Sequence, residues 1–194
     1  MYADDTAFLV SSGTHKMNHA LLQSAANELE VWCNKWRVKI NADKSAILWF
    51  GSNSKKIPDQ DIQIFGLPVP KVSSYKYLGV HLDKFLNFHL HLEKTLNKCI
   101  GTCMALGRIT NPKNGLSLKN KALLYKTVVR PIFTYASPVW AFSRKGNITK
   151  LISFQGKTLK KLVKSPWYVS YAQLENDLQI TPIPNCILEL QFLR

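Results

Sequence analysis

Tyr2-Ala3-Asp4-Asp5 sets two adjacent carboxylates between an aromatic residue and the apolar run Ala7-Phe8-Leu9-Val10. Adjacent like charges raise each other's pKa unless a cation neutralises them. Oxygen-only ligands suit Mg²⁺, so Asp4 and Asp5 are candidate ligands of a divalent ion. Bulky residues on both sides of a short acidic tip predict a β-hairpin across Met1–Ser11 with the aspartates in its turn. The same residues also describe a solvated acidic turn, and a tetrapeptide does not choose between the two.

A second group with chemical potential is basic. Lys157, Lys160, Lys161 and Lys164 stand at i, i+3, i+4 and i+7, one stripe along a helix. Such a stripe either contacts phosphates without reading sequence or is an ordinary solvated face. The whole chain leans the same way: Lys+Arg outnumber Asp+Glu 26 to 12, a net charge of +14, with five Trp and seven Tyr. That balance on a chain of ordinary hydrophobicity points to a polyanionic partner, nucleic acid before an anionic membrane. No apolar run approaches the length of a membrane span. The N-terminus lacks the basic region of a signal peptide, so the expected compartment is intracellular, nucleus or cytoplasm. Cys33, Cys99, Cys103 and Cys186 do not form a disulfide framework. With His89 and His91 upstream, Cys99 and Cys103 lack the tight pairing of a zinc site, and the cysteines read as reduced small hydrophobes. The five histidines stand in no nucleophilic arrangement.

The elements that must position these residues follow from periodicity. Leu22, Ala25, Ala26, Leu29, Trp32, Cys33 and Trp36 define an amphipathic helix over about Lys16–Trp36, with Gln23, Glu30, Asn34 and Lys35 on its other face and Thr14 as a candidate N-cap. Trp32 and Trp36 are expected to pack this helix onto a sheet. Arg37–Ile40 and Ser45–Phe50 read as strands around the polar turn Asn41–Lys44. Ile62–Val69 reads as a short hairpin. Tyr75–Leu82 is an alternating stretch in which Gly79 permits a bulge or a close backbone approach. Near residue 85 the period changes from two to near four. A helix that Gly107 could end is followed by one capped by Ser117, which Pro131 should kink or end. Ile148–Lys164 is a third helix, and a short one covers Tyr171–Leu178. Trp140 and Trp167 could stack on bases, but the helices must also be held together and both are read as packing residues. The fold class is α+β: residues 1–85 form a small mixed layer and residues 86–194 a helical bundle.

Three stretches in order carry a resemblance: Tyr2-Ala3-Asp4-Asp5; a helix followed by Trp36–Ser45; and Tyr77-Leu78-Gly79-Val80 leading into a helix. Together with Leu124–Pro131 and Tyr135–Trp140 they resemble the reverse transcriptase of non-LTR, LINE-type retrotransposons, nearest the jockey-like branch. The resemblance implies part of a right-hand polymerase, with palm motifs C, D and E in residues 1–85 and the thumb in 86–194. It implies that Asp4 and Asp5 are catalytic metal ligands for Mg²⁺ or Mn²⁺, and that Tyr2 lies near the primer end and incoming nucleotide. Lys44 becomes a candidate general acid toward the pyrophosphate leaving group. Tyr77, Leu78 and Gly79 resemble a primer grip, and the Lys157–Lys164 stripe would track the backbone of an RNA template–DNA primer hybrid.

The implied reaction is two-metal transfer of a nucleotide from a dNTP to a primer 3′-hydroxyl. A further metal-binding aspartate (motif A), motif B and the fingers would precede Met1, so the fragment is expected to be inactive alone. The alternatives are a non-catalytic nucleic-acid-binding relic of the thumb, and a helical interaction domain whose charge is fortuitous.

Overall fold

The computed structural model describes residues 5–51, 60–142 and 145–192. Asp4, Tyr2 and most of the first half of the expected opening hairpin lie outside these residues. Within the described part, Asp5 makes an isolated β-bridge and residues 6–12 form no strand, which corrects the hairpin expectation there. A strand is stable only when a ladder and a packed face support it. Here Phe8 and Leu9 remain 51% and 84% exposed.

The chain divides into two compact units. The first comprises the described residues of Met1–Tyr77 and Leu82–Leu86. Its helix α1, His15–Trp36, starts as expected: the Thr14 hydroxyl accepts a hydrogen bond from the Met17 amide at 3.2 Å. It ends on Arg37 in the left-handed conformation (φ 54°), with the Val38 amide donating back to Cys33 O at 3.0 Å. Arg37 is therefore a helix cap and Arg37–Ile40 is not a strand. Four alternating residues carry too little pattern to outweigh helix termination.

The docking face of α1 keeps Ala26 and Cys33 of the expected stripe but is shifted toward Gln23 and Glu30, away from Trp32 and Trp36. Gln23 brackets Gln63, its amide donating to Gln63 O at 3.1 Å and its oxygen accepting from Gln63 N at 3.0 Å. Glu30 accepts from Phe65 N. Ala26 and Cys33 lie buried on the same side. Trp32 and Trp36 remain 46% and 60% exposed, so they do not pack the helix onto a sheet. Unsatisfied backbone at a short hairpin recruits polar side chains, and the periodicity of apolar residues did not reveal this.

Strands are short. β1 (Ile47–Leu48) pairs in parallel with β4 (Lys71–Val72), and β2 (Gln63–Ile64) pairs antiparallel with β3 (Leu67–Pro68). The Phe65–Gly66 turn has positive φ at both residues (52° and 72°), the two-residue geometry that matches strand twist. β5 (Ser74–Tyr77) and β6 (Val80–Asp83) form a third pair. Leu78 (φ 44°) and Gly79 (φ 81°) make the turn between them, so Gly79 closes a hairpin rather than a bulge.

The second unit comprises Leu78–His81 and Asn87–Arg194. Helix α2, His89–Gly107, buries His91, Leu92 and Cys99. Gly107 is its last residue but not a left-handed cap; the chain turns where Asn114 Nδ2 donates to Arg108 O at 2.7 Å. Ser117 caps α3 (Leu118–Leu124), accepting from Asn120 N at 3.2 Å. α3 does not stop at Pro131. It widens into a π-helical segment, Tyr125–Val129, and continues as α4, Arg130–Thr134. A π turn immediately ahead of a proline absorbs the misfit of its ring with the preceding turn. It also brings both Tyr125 and Val129 into the core.

After α5 (Ser137–Trp140), the long helix α6, Lys145–Val163, buries Leu151, Gln155 and Leu159. α7 (Tyr171–Asp177) and α8 (Ile183–Phe192) pack beside it. A buried polar chain ties three elements: Tyr125 OH donates to Gln155 Oε1 at 2.7 Å, and Gln155 Nε2 donates to Glu175 Oε1 at 2.6 Å. The mixed helix-and-strand content agrees with the α+β expectation.

Candidate functional site

Asp5 is the one candidate metal ligand among the described residues, and its side chain is exposed. Among the described residues, no three His, Cys, Asp or Glu side chains converge as a metal-holding group. The described residues alone therefore do not fit a two-ion cage.

Lys44 ends a single 3₁₀ turn, Ala42–Lys44, with its side chain exposed. Two contacts fix the turn. Tyr75 OH donates to Lys44 O at 2.7 Å, and the Lys44 amide points at Asn41 Oδ1 at 3.3 Å. The backbone under Lys44 is held while its ammonium stays in solvent.

The tip of the β5–β6 hairpin is built more tightly. Tyr135 OH donates to Leu78 O at 2.9 Å. The edge of the same ring lies against Gly79, where an added Cβ would sit 3.1 Å from Cε1. Trp140, fully buried, donates from its indole N–H to Tyr135 O at 2.9 Å and so holds the backbone that carries the ring. Next to the tip, the His81 amide points at His91 Nδ1 at 3.4 Å. Burial, and then the neighbouring His81, hold the His91 pKa below the ordinary histidine value. Leu78 and Gly79 thus have a positioned backbone, and Tyr77 is the half-buried last residue of β5. Tyr135 was not legible as their partner, since the partnership joins residues 57 positions apart.

The basic stripe divides. Lys157, Lys161 and Lys164 are exposed on or just beyond α6. Lys160 is not free: Nζ donates to Trp167 O at 2.8 Å and lies 5.2 Å from the centre of the Tyr171 ring. Lys150, seven residues before Lys157, extends the stripe, with Nζ 3.1 Å from His89 Nε2; the helical period alone could have found it. Lys161 and Lys164 also rim a cleft of about 280 Å³ floored by Leu106, Leu124 and Tyr125. Trp140 is fully buried, but Trp167 is 87% exposed, against the expectation that it packs.

The cysteines are free thiols. Burial pushes Cys99 up to about 12 and raises Cys103 and Cys186, so none is tuned as a nucleophile.

Residues 1–82 match the family described as reverse transcriptase (RNA-dependent DNA polymerase). Over most of its length the chain is similar to polymerases of non-LTR mobile elements. It is 30% identical to the RNA-directed DNA polymerase from mobile element jockey of Drosophila melanogaster, covering 92% of this chain and 19% of that protein. It is 32% identical to the jockey polymerase of Drosophila funebris, over 97% of this chain and 20% of that protein. The probable RNA-directed DNA polymerase from transposon BS of Drosophila melanogaster is 30% identical, over 92% and 20%. The chain thus spans about a fifth of the length of these relatives. Its resemblance is to the reverse transcriptases of jockey-like mobile elements. No solved structure matches it. No helix among the described residues is long and apolar enough to cross a membrane.

Proposed function

We propose that this chain is a palm-and-thumb part of an RNA-directed DNA polymerase of a jockey-like mobile element, working in the nucleus or cytoplasm. Residues 1–85 act as the palm part and 86–194 as the thumb. The observation that carries the reading is the family match over residues 1–82, which contains Asp4, Asp5, Lys44 and Tyr77–Gly79.

In this reading Asp4 and Asp5 contribute carboxylates for Mg²⁺ or Mn²⁺, and the bound ions supply activation of the primer hydroxyl and charge stabilisation on the leaving group. Tyr2 lies by the incoming dNTP. Lys44 presents an exposed side chain above a fixed turn, the placement a proton donor to pyrophosphate needs. Tyr77, Leu78 and Gly79 hold the primer terminus through backbone. Lys157, Lys161 and Lys164 contact phosphates of the RNA–DNA hybrid, while Lys160 supports the loop that follows.

In this reading the two-ion site takes a further aspartate (motif A), and the resemblance does not place that motif, motif B or the fingers in these 194 residues, so they do not polymerise alone. Primer extension on an RNA template with Mg²⁺ or Mn²⁺ tests this, and template-dependent incorporation would overturn it. Calorimetric titration of Mn²⁺ into the chain and into Asp4→Asn tests the ligand role; equal binding by both would remove it. A second reading, a nucleic-acid-binding unit without catalysis, is favoured by the exposed lysines of α6, which need nothing from residues 1–85 to bind phosphate.

A further inference from the structure

The segment after α6 presents two large aromatic side chains to water on a fixed backbone. Trp167 and Tyr168 are 87% and 71% exposed, and their rings meet edge to face at 6.0 Å and 82°. Exposed aromatics usually sit on loose chain, but this segment is tied at each end. Lys164 turns left-handed (φ 53°) to end α6, and Ser165 N donates to Lys160 O at 3.0 Å. Lys160 Nζ donates to Trp167 O at 2.8 Å while resting over the Tyr171 ring. Val169 N donates to Pro166 O at 3.3 Å, and Ser170 caps α7 by accepting from Gln173 N at 3.1 Å. Tyr171 itself is seated on Gly156, where no Cβ would fit. The rings are thus carried on a backbone already held in one conformation.

The surroundings select the partner. Residues 157–170 contain four lysines and no acidic residue. Flat apolar faces beside fixed positive charge are the combination that holds single-stranded nucleic acid, with bases on the rings and phosphates on the lysines. A paired duplex offers the phosphates but keeps its base faces stacked inside.

We propose that Trp167 and Tyr168 form a stacking platform for unpaired bases, with Lys161 and Lys164 receiving the adjoining phosphates. The platform lets the chain hold a single strand next to the hybrid that α6 contacts. The inference rests on the reading of α6 as a phosphate-contacting face and adds to it a site for single strands.

The test is fluorescence anisotropy on the full chain with three probes: a 12-nucleotide single strand (as RNA and as DNA), an abasic strand of equal length, and a blunt RNA–DNA hybrid. Trp167→Ala and Tyr168→Ala should each weaken single-strand binding about tenfold, with Trp167→Phe restoring most of it. Both variants should bind the abasic strand and the hybrid as the unaltered chain does. Lys161→Glu with Lys164→Glu should weaken all probes. If the aromatic variants bind the base-bearing strand as tightly as the unaltered chain, or lose the abasic strand equally, the platform is overturned. If the lysine variants leave hybrid binding unchanged, the underlying reading of α6 fails instead. Circular dichroism establishes that each variant keeps the helical content.

Discussion

Replacing Gly79 by alanine should destabilise the β5–β6 hairpin by an amount set by two separable causes. The residue sits at φ 81°, where an L side chain costs about 1 kcal/mol. The new methyl would also lie 3.1 Å from Tyr135 Cε1, so the ring must move a few tenths of an ångström; that adds roughly 0.5–1 kcal/mol, the low end of overpacking costs. The expected total is about 1.5–2 kcal/mol. Tyr135→Phe keeps the ring but removes the hydrogen bond to Leu78 O, at a cost of about 0.5–1 kcal/mol because the site is partly solvated. Tyr135→Ala removes both ring and bond. In that background Gly79→Ala should cost only its backbone share, about 1 kcal/mol. Urea unfolding of the four chains, followed by circular dichroism, supplies the cycle. Equal cost of Gly79→Ala with and without the Tyr135 ring would refute the claim that the ring holds the tip. The proposed grip role requires a held tip, so the same variants should also lower affinity for a recessed primer end.

Other consequences are as concrete. Gln155→Leu leaves Tyr125 OH and Glu175 without their buried partner and should cost about 1–3 kcal/mol; urea unfolding that shifts by less than 0.3 kcal/mol would show the chain of bonds to be unimportant. Gly156→Ala drives a methyl into Tyr171 Cγ, near the ring's fixed end, and should cost about 1–3 kcal/mol and release α7 to faster amide exchange. The His91 pKa is held below its ordinary value of about 6.5 by burial and by His81. Below that pH the unfolded chain takes up a proton that the folded chain resists, so His91 contributes a loss of stability as pH falls from 7.5 to 5.5. His91→Leu should reduce that loss, seen as a smaller difference in unfolding free energy between the two pH values.

What could be read from the sequence was local or periodic. The caps Thr14 and Ser117, the span of α1, the 62–69 hairpin and the course of α6 follow from side chains within four residues of the backbone they serve. What could not be read depended on distant partners. Trp32 and Trp36 matched a buried stripe, yet the hairpin β2–β3 bonds to Gln23 and Glu30, which share the docking side with Ala26 and Cys33 and leave both tryptophans outside it. Trp167 looked like core because tryptophan usually is, but the loop bonds around it are made by Lys160, seven residues earlier. The same bond explains why one of the four lysines of the stripe is committed. The residues carrying the resemblance were legible as motifs; the support of Leu78 and Gly79 by Tyr135 was not, since it joins the end of a strand pair to a residue after α4.

The helical unit is proposed to hold nucleic acid by its exposed lysines. The direct measurement is the salt dependence of binding to a blunt RNA–DNA hybrid, for the unaltered chain, for Lys160→Ala, and for Lys157→Ala, Lys161→Ala and Lys164→Ala combined. Each phosphate contact contributes about one unit to the slope of log K against log salt. The triple variant should therefore lose about three units of slope, and Lys160→Ala about none, since its ammonium is tied to Trp167 O. A slope unchanged in the triple variant, or no binding to the hybrid at low salt by the unaltered chain, would contradict the account.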